Sequence, residues 1–202
     1  MMPFDDRLSR RFLLKSTLAA GGVLIGASQP IRVRAQSAVP TPECRDNDDP
    51  TEEQIEGPFF KPRSPLTGDL TISGSRAKIV TLQGRVVTRS CRPVPGALLD
   101  LWHADENGDY DNSGFRYRGH QLADGSGAYR FRTILPGPYP GRTRHYHLKV
   151  QAPRRPILTT QLYFPGERGN DYDGFFSEEL LMRYDDSPSG ASARFDFVLN
   201  IA

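Results

Sequence analysis

Short runs in which apolar and polar residues alternate recur along this chain, at 79–87, 97–102, 128–133, 145–151, 159–164 and 194–199. Alternation with a period of two marks a strand with one buried and one open face. Turn-rich breaks such as Pro93-Val94-Pro95-Gly96 and Asp124-Gly125-Ser126-Gly127 separate the runs. With 17 Pro and 19 Gly over the chain, the pattern predicts an all-β fold, a two-sheet β-sandwich with short strands and long loops. One short helix is predicted over 177–183. The packed region is expected to begin at Gly57-Pro58-Phe59-Phe60.

The first residues follow a different pattern. Ser9-Arg10-Arg11-Phe12-Leu13-Leu14-Lys15 is a twin-arginine sequence, followed by a Gly-interrupted apolar stretch and a small-x-small site at Val33-Arg34-Ala35. About ten apolar residues are too few for a bilayer span, which needs about 20. Residues 1–35 therefore read as a twin-arginine signal peptide removed on export to the periplasm or the extracellular space. Residues 36–50, polar and rich in Pro and Asp, read as an N-terminal arm or linker, and 51–202 as one β-sandwich domain.

Charge adds exclusions. The chain carries +2, but residues 1–35 hold six Lys/Arg against two Asp/Glu, a surplus of four, so the remainder is near −2. Its Lys and Arg are scattered and not interleaved with aromatics, which argues against nucleic acid as a partner and leaves no membrane footprint. Cys44 and Cys91 are the only cysteines. The exported context permits a bridge between them, stabilising by roughly 4 kcal/mol through loop closure, with two free thiols as the alternative.

The alternating run 145–151 carries the first candidate chemistry. His145 and His147 project from one strand face, about 6.6 Å apart at Cα, while Tyr146, Leu148 and Val150 supply the apolar face. Tyr139 lies between Pro138 and Pro140, whose restricted backbones pre-position the phenol. Tyr110 closes the segment from Trp102 to Asp109. Two phenolates and two imidazoles suit one Fe(III), because hard anionic oxygen donors stabilise the ferric state. A free phenol titrates near 10, so the metal must deprotonate each Tyr, as it does a coordinating thiol.

The frame Trp102-His103-Ala104-Asp105-Glu106-Asn107-Gly108-Asp109-Tyr110, Pro136-Gly137-Pro138-Tyr139-Pro140 and Arg142-Thr143-Arg144-His145-Tyr146-His147 resembles the intradiol ring-cleavage dioxygenases over about 51–199. The resemblance implies one non-haem Fe(III) per subunit, held by Tyr110, Tyr139, His145 and His147. It implies that Arg142 stabilises negative charge on a bound catecholate, that Gln161 stands beside the iron, and that Ile55, Gly57 and Pro58 line the substrate pocket. Tyr139, when displaced, would act as a base. The implied reaction opens a catechol ring between its hydroxylated carbons, placing both atoms of O2 in a cis,cis-muconate-type diacid. Catechol, protocatechuate, hydroxyquinol and substituted forms all remain as substrates, and relatives are usually homodimers or larger.

Other readings compete. The turn-and-strand grammar of Asp124-Gly125-x-Gly127-x-Tyr129-x-Phe131 also suits a non-catalytic carbohydrate-binding or adhesion-type sandwich module. Packing alone, however, does not call for two His on one strand face. Asp105, Asn107, Asp109 and Asp111 resemble a calcium loop but lack its Gly and its final Glu. His-x-His without a third ligand at metalloprotease spacing does not make a zinc hydrolase, and no nucleophile turn is present. Tyr117, Tyr129 and Tyr163 read as packing aromatics, His103 as a neighbour of the ligands, and His120 as a solvated or loop-packing residue.

Overall fold

The computed structural model describes residues 49–187 and 190–201. Nine strands fold into two sheets: β1 (Ile79–Thr88), β2 (Leu98–Trp102), β3 (Arg118–Leu122), β4 (Ala128–Ile134), β5 (His145–Gln151), β6 (Ile157–Tyr163), β7 (Arg183–Ser187), β8 (Gly190–Arg194) and β9 (Phe197–Leu199). One sheet has the order β4-β1-β8-β7, with β9 also on β1, and the other β3-β2-β5-β6. The all-β sandwich expected from the alternation is what forms. Among the described residues no helix is long and apolar enough to cross a membrane.

The alternating runs explain the core. Val80, Leu82 and Val86 of β1, Phe131 of β4 and Phe197 of β9 meet Leu99, Leu101, Tyr146, Leu148, Val150 and Leu162 from the facing sheet. Each fully buried large apolar side chain contributes roughly 1.5–3 kcal/mol. Ala191 and Ala193 of β8 also face inward. Their small size and the charged flanks of β7 gave these two strands no visible alternation.

Two expectations are corrected, and one strand is added. The run 194–199 is not one strand: β8 ends at Arg194 and β9 starts at Phe197, and both pair with β1 in parallel. Between them the Phe195 carbonyl accepts the Tyr129 hydroxyl at 2.8 Å. That carbonyl passes so close to Gly84 that a Cβ there would lie 1.7 Å from it, so the crossing needs glycine. The predicted helix over 177–183 reduces to a 3-10 turn, Glu178–Leu180. Leu181 bridges to Tyr163, and the Met182 N–H donates to the Tyr163 carbonyl, drawing the chain onto the end of β6. Strand β3, Arg-Gly-His-Gln-Leu, was not anticipated, because its sequence shows no apolar alternation.

Residues 51–64 contribute no strand, yet they are stitched over the β3-β2-β5-β6 sheet. Gln54 N–H donates to Thr159, Thr160 Oγ1 to the Glu52 carbonyl and Arg118 Nη1 to the Phe59 carbonyl, while Thr51 N–H ties the start of the segment to Val198 of β9 in the other sheet. Cys91 is disulfide-bonded; Cys44, the only other cysteine of the sequence, lies outside the described residues, as do the segment 1–35 and nearly all of the expected arm.

Candidate metal centre

The site grows from one cross-strand row. Arg118 on β3 opposes Trp102 on β2, Trp102 opposes His147 on β5, and His147 opposes Gln161 on β6. Directly opposed residues share a face, so all four stand on the outer face of this sheet, with His145 and Tyr163 as the next pair. None is solvated: Arg118, Trp102, His147 and Gln161 are each at most 2% exposed. The Trp102 indole stacks on the His147 ring, centroids 5.0 Å apart and 9° from parallel.

Tyr139 arrives on a tight turn. The Arg142 N–H donates to the Tyr139 carbonyl at 2.9 Å, with Pro140 and Gly141 between them and Gly141 at φ +79. Proline at the second and glycine at the third place is the pattern of a type II turn. The turn sets the Tyr139 and Arg142 side chains next to each other, and Arg142 Nη1 donates to Tyr139 Oη at 3.2 Å. Tyr110 is placed by the loop after β2, where Asp105 Oδ1 accepts the Asn107 and Asp109 N–H groups. Arg118 donates to the Asp111 carbonyl just beyond it. The acidic run that resembles a calcium loop is therefore a self-bonded turn that aims Tyr110.

Tyr110, Tyr139, His145 and His147 come together. Tyr110 Oη lies 3.4 Å from His145 Nε2, and the two imidazole Nε2 atoms are 3.1 Å apart. The two phenol rings lie 5.9 Å apart at 78°. His145 Nδ1 sits 2.7 Å from the Thr143 carbonyl, which fixes the proton there and leaves the Nε2 lone pair aimed at its neighbours. His147 Nδ1 is buried without a partner.

Burial, then Arg142, pushes the His145 pKa down to about 4. Burial, then His145, holds His147 well below its usual value. Both rings are thus neutral donors at neutral pH. Burial, followed by Tyr139, strongly raises the Tyr110 pKa, so this phenol ionises only if a cation takes its oxygen.

This donor set fits a metal ion. Two donors each about 2.1 Å from one ion and at right angles lie roughly 3.0 Å apart, close to the spacings found. Among the described residues no three His, Cys, Asp or Glu gather into a metal-binding group; the groups beside the two imidazoles that could add to a donor set are the two phenols, and phenolates favour a hard trivalent cation.

The remaining predicted residues divide. Arg142 and Gln161 meet at the site, Nη2 donating to Gln161 Oε1 at 2.5 Å, and Gln161 Nε2 donates to the Ile55 carbonyl at 3.1 Å. Burial works against the Arg142 charge, but Tyr139 and the bond to Asp173 outweigh it and raise the Arg142 pKa. Gly57 lies against the His147 ring. Ile55 and Pro58 are exposed, and Phe59, the next residue, stacks on Tyr110 at 4.3 Å.

His103 is no part of the donor cluster: it bonds Thr133 and the Ala104 carbonyl and packs against Tyr117 and Tyr146, between the sheets. His120 packs on Ser64. Tyr117 and Tyr129 are packing aromatics, as read from the sequence. Tyr163 does more, with its hydroxyl 3.3 Å from Gln161 Oε1.

Sequence reasoning missed Asp173, Arg118 and Phe59. Asp173 joins Arg142 from 31 positions away and carries no local motif. Arg118 lies in the strand that alternation did not reveal.

The sequence profile of a family described as Dioxygenase matches residues 55–201. The dioxygenase domain of a dioxygenase carbohydrate-binding protein fusion from the cellulolytic bacterium Streptomyces sp. SirexAA-E is 51% identical, with a TM-score of 0.74, covering 76% of this chain and all of that one. A hydroxyquinol 1,2-dioxygenase from Pseudomonas putida DLL-E4 is 26% identical with a TM-score of 0.70, covering 78% of this chain and 69% of that one. A hydroxyquinol 1,2-dioxygenase from Nocardioides simplex is 31% identical over 170 residues, 71% of this chain and 58% of that protein. The chain thus spans little more than half the length of this relative.

Proposed function

Because this chain belongs to the intradiol ring-cleavage dioxygenases, we propose that it opens catechol-type rings between their two hydroxylated carbons, using one non-haem Fe(III) held by Tyr110, Tyr139, His145 and His147. The observation that carries this reading is the meeting of His145 Nε2 with both Tyr110 Oη and His147 Nε2, with Tyr139 and Arg142 alongside.

A bound ferric ion supplies the electron-withdrawing centre that lets a catecholate react with triplet oxygen. The chain's own residues do the rest. Tyr139 Oη would hold the ion as a tyrosinate and would be the base that takes one catechol proton. Arg142 is charged at every working pH and faces the developing negative charge on the ring. Gln161 holds the Arg142 fork in place from the Ile55 side. Phe59 and Gly57 cover Tyr110 and His147, restricting water at the centre.

Catechol and dioxygen together contain every atom of the muconate-type diacid, so no further reactant is needed. Catechol, protocatechuate, hydroxyquinol and substituted forms are the candidate substrates, and relatives named for hydroxyquinol and chlorocatechol support that class. The reading includes export by the twin-arginine route with cleavage after Ala35, for which the disulfide-bonded state of Cys91 is fitting, and assembly as a homo-oligomer.

The test is oxygen uptake by purified iron-loaded protein across that panel, with labelled dioxygen and product identification. The expected result is a red-brown protein, active after aerobic storage, that places one labelled atom in each new carboxyl group. A semialdehyde as the main product, or activity only after reduction to Fe(II), sinks the reading.

A further inference from the structure

The reaction leaves one buried carboxylate near the centre unused. The Asp173 side chain is fully buried, and both of its oxygens lie 2.9–3.0 Å from Arg142 Nε. Oδ2 also accepts the Thr143 N–H and Oδ1 the Phe175 N–H, each at 2.9 Å. The segment that carries it is fixed at several points. The Asp173 N–H donates to the Gly169 carbonyl, Asn170 Nδ2 donates to the Phe164 carbonyl, and Thr143 Oγ1 donates to Asn170 Oδ1.

A carboxylate buried against the guanidinium partly cancels the charge that Arg142 is meant to offer, so its value must be geometric. It engages only Nε, at the stem side. The two Nη nitrogens are left for Tyr139 Oη and Gln161 Oε1, and the Phe175 ring lies 4.9 Å from Cζ.

We propose that Asp173 is a positioning residue for Arg142, gripping it by Nε so that the Nη edge is presented to Tyr139 and to the substrate oxygen beside it. This rests on the ring-cleaving reading of the site. A misplacement of about 1 Å in such a group costs up to about 100-fold in rate, and a guanidinium freed at Nε but still held by Gln161 is expected to lose about tenfold.

The experiment compares Asp173→Asn, Arg142→Ala, the double variant and Arg142→Lys in the iron-loaded protein. Asp173→Asn is expected to keep iron and the visible band, to lower the thermal midpoint by several degrees because the buried Arg142 charge loses its partner, and to lose about tenfold in kcat with KM for catechol changed less than threefold. The double variant should match Arg142→Ala in kcat within twofold, because Asp173 acts only through Arg142. Arg142→Lys, which retains charge and fold but not the fork, should fall as far as Asp173→Asn or further. In the metal-free protein the Arg142 Nε–H NMR signal, identified by its loss in Arg142→Ala, should exchange with water at least tenfold faster in Asp173→Asn.

A double variant worse than Arg142→Ala by the full factor of the single change would make Asp173 a loop staple and overturn the proposal. So would Arg142→Lys with wild-type kcat, or unaltered Nε–H exchange in Asp173→Asn. If the wild-type protein oxidises no catechol, the ring-cleaving reading fails on its own, and the exchange measurement still decides whether Asp173 holds Arg142.

Discussion

Two cross-strand rows of four, one on the outer face of each sheet, have opposite fates. On the β4-β1-β8-β7 sheet the row is Arg130, Gln83, Arg194 and Arg183, and its three arginines are exposed. On the other sheet the row Arg118, Trp102, His147 and Gln161 is buried, although it too points away from the core. The difference lies in what covers them. Residues 51–64 and the loops after β2, β4 and β6 close over the second row, while the first meets water. Taking polar groups from water costs several kcal/mol each unless they are paired. The covering segments supply that pairing, Arg118 donating to the Phe59 and Asp111 carbonyls and Gln161 to the Ile55 carbonyl, whereas the solvated row leaves it to water.

Breaking the buried side has the largest expected effect. Tyr110→Phe or His147→Ala should lower iron affinity by more than about 100-fold, beyond the 10- to 100-fold typical of losing an outer partner, as measured by retained iron and the visible band. Tyr117→Phe should leave both unchanged, and a colourless wild-type protein with stoichiometric iron would refute the two-phenolate assignment.

Next comes Arg142→Ala, expected to retain iron and colour while kcat falls roughly 100- to 1,000-fold, about 3–4 kcal/mol in barrier. Loss of iron from the folded variant would assign Arg142 to structure.

The pH response follows. In the metal-free protein His145 has its pKa lowered by burial, then by Arg142, to about 4, against about 6.5 when unfolded. The unfolded chain then binds the proton more readily, so the stabilisation is fully present above pH 6.5 and is lost as pH falls toward 4, about 3 kcal/mol in all. Thermal unfolding between pH 7.5 and 4 should show the decline, and a flat midpoint through that window contradicts it.

The smallest effect belongs to the solvated row. Arg194→Ala should change stability by no more than about 0.5 kcal/mol and kcat by less than twofold; a large loss in either would end the contrast between the rows.

Much of this arrangement was legible in the sequence, and the reasons are local. Strands β1, β2, β4, β5 and β6 announce themselves because each needs one apolar face, and the four side chains that cluster were visible because His145 and His147 share a strand face while Tyr110 and Tyr139 sit in recognisable turns. What escaped depends on distant partners. Arg118 is buried by backbone carbonyls from Phe59 and Asp111, and nothing in Tyr117-Arg118-Gly119 signals that. Asp173 looks like any loop aspartate until Arg142 meets it across the fold. The expected helix at 177–183 gave way because pairing with Tyr163 offered the chain more than one isolated turn could.

The covering segment adds no strand to either sheet, yet it puts Gly57 on His147 and Phe59 on Tyr110, while Ile55 stays open to solvent. Exchanging a handful of side chains in this one contiguous stretch therefore changes the surface laid over His147 and Tyr110 while leaving the sandwich core untouched.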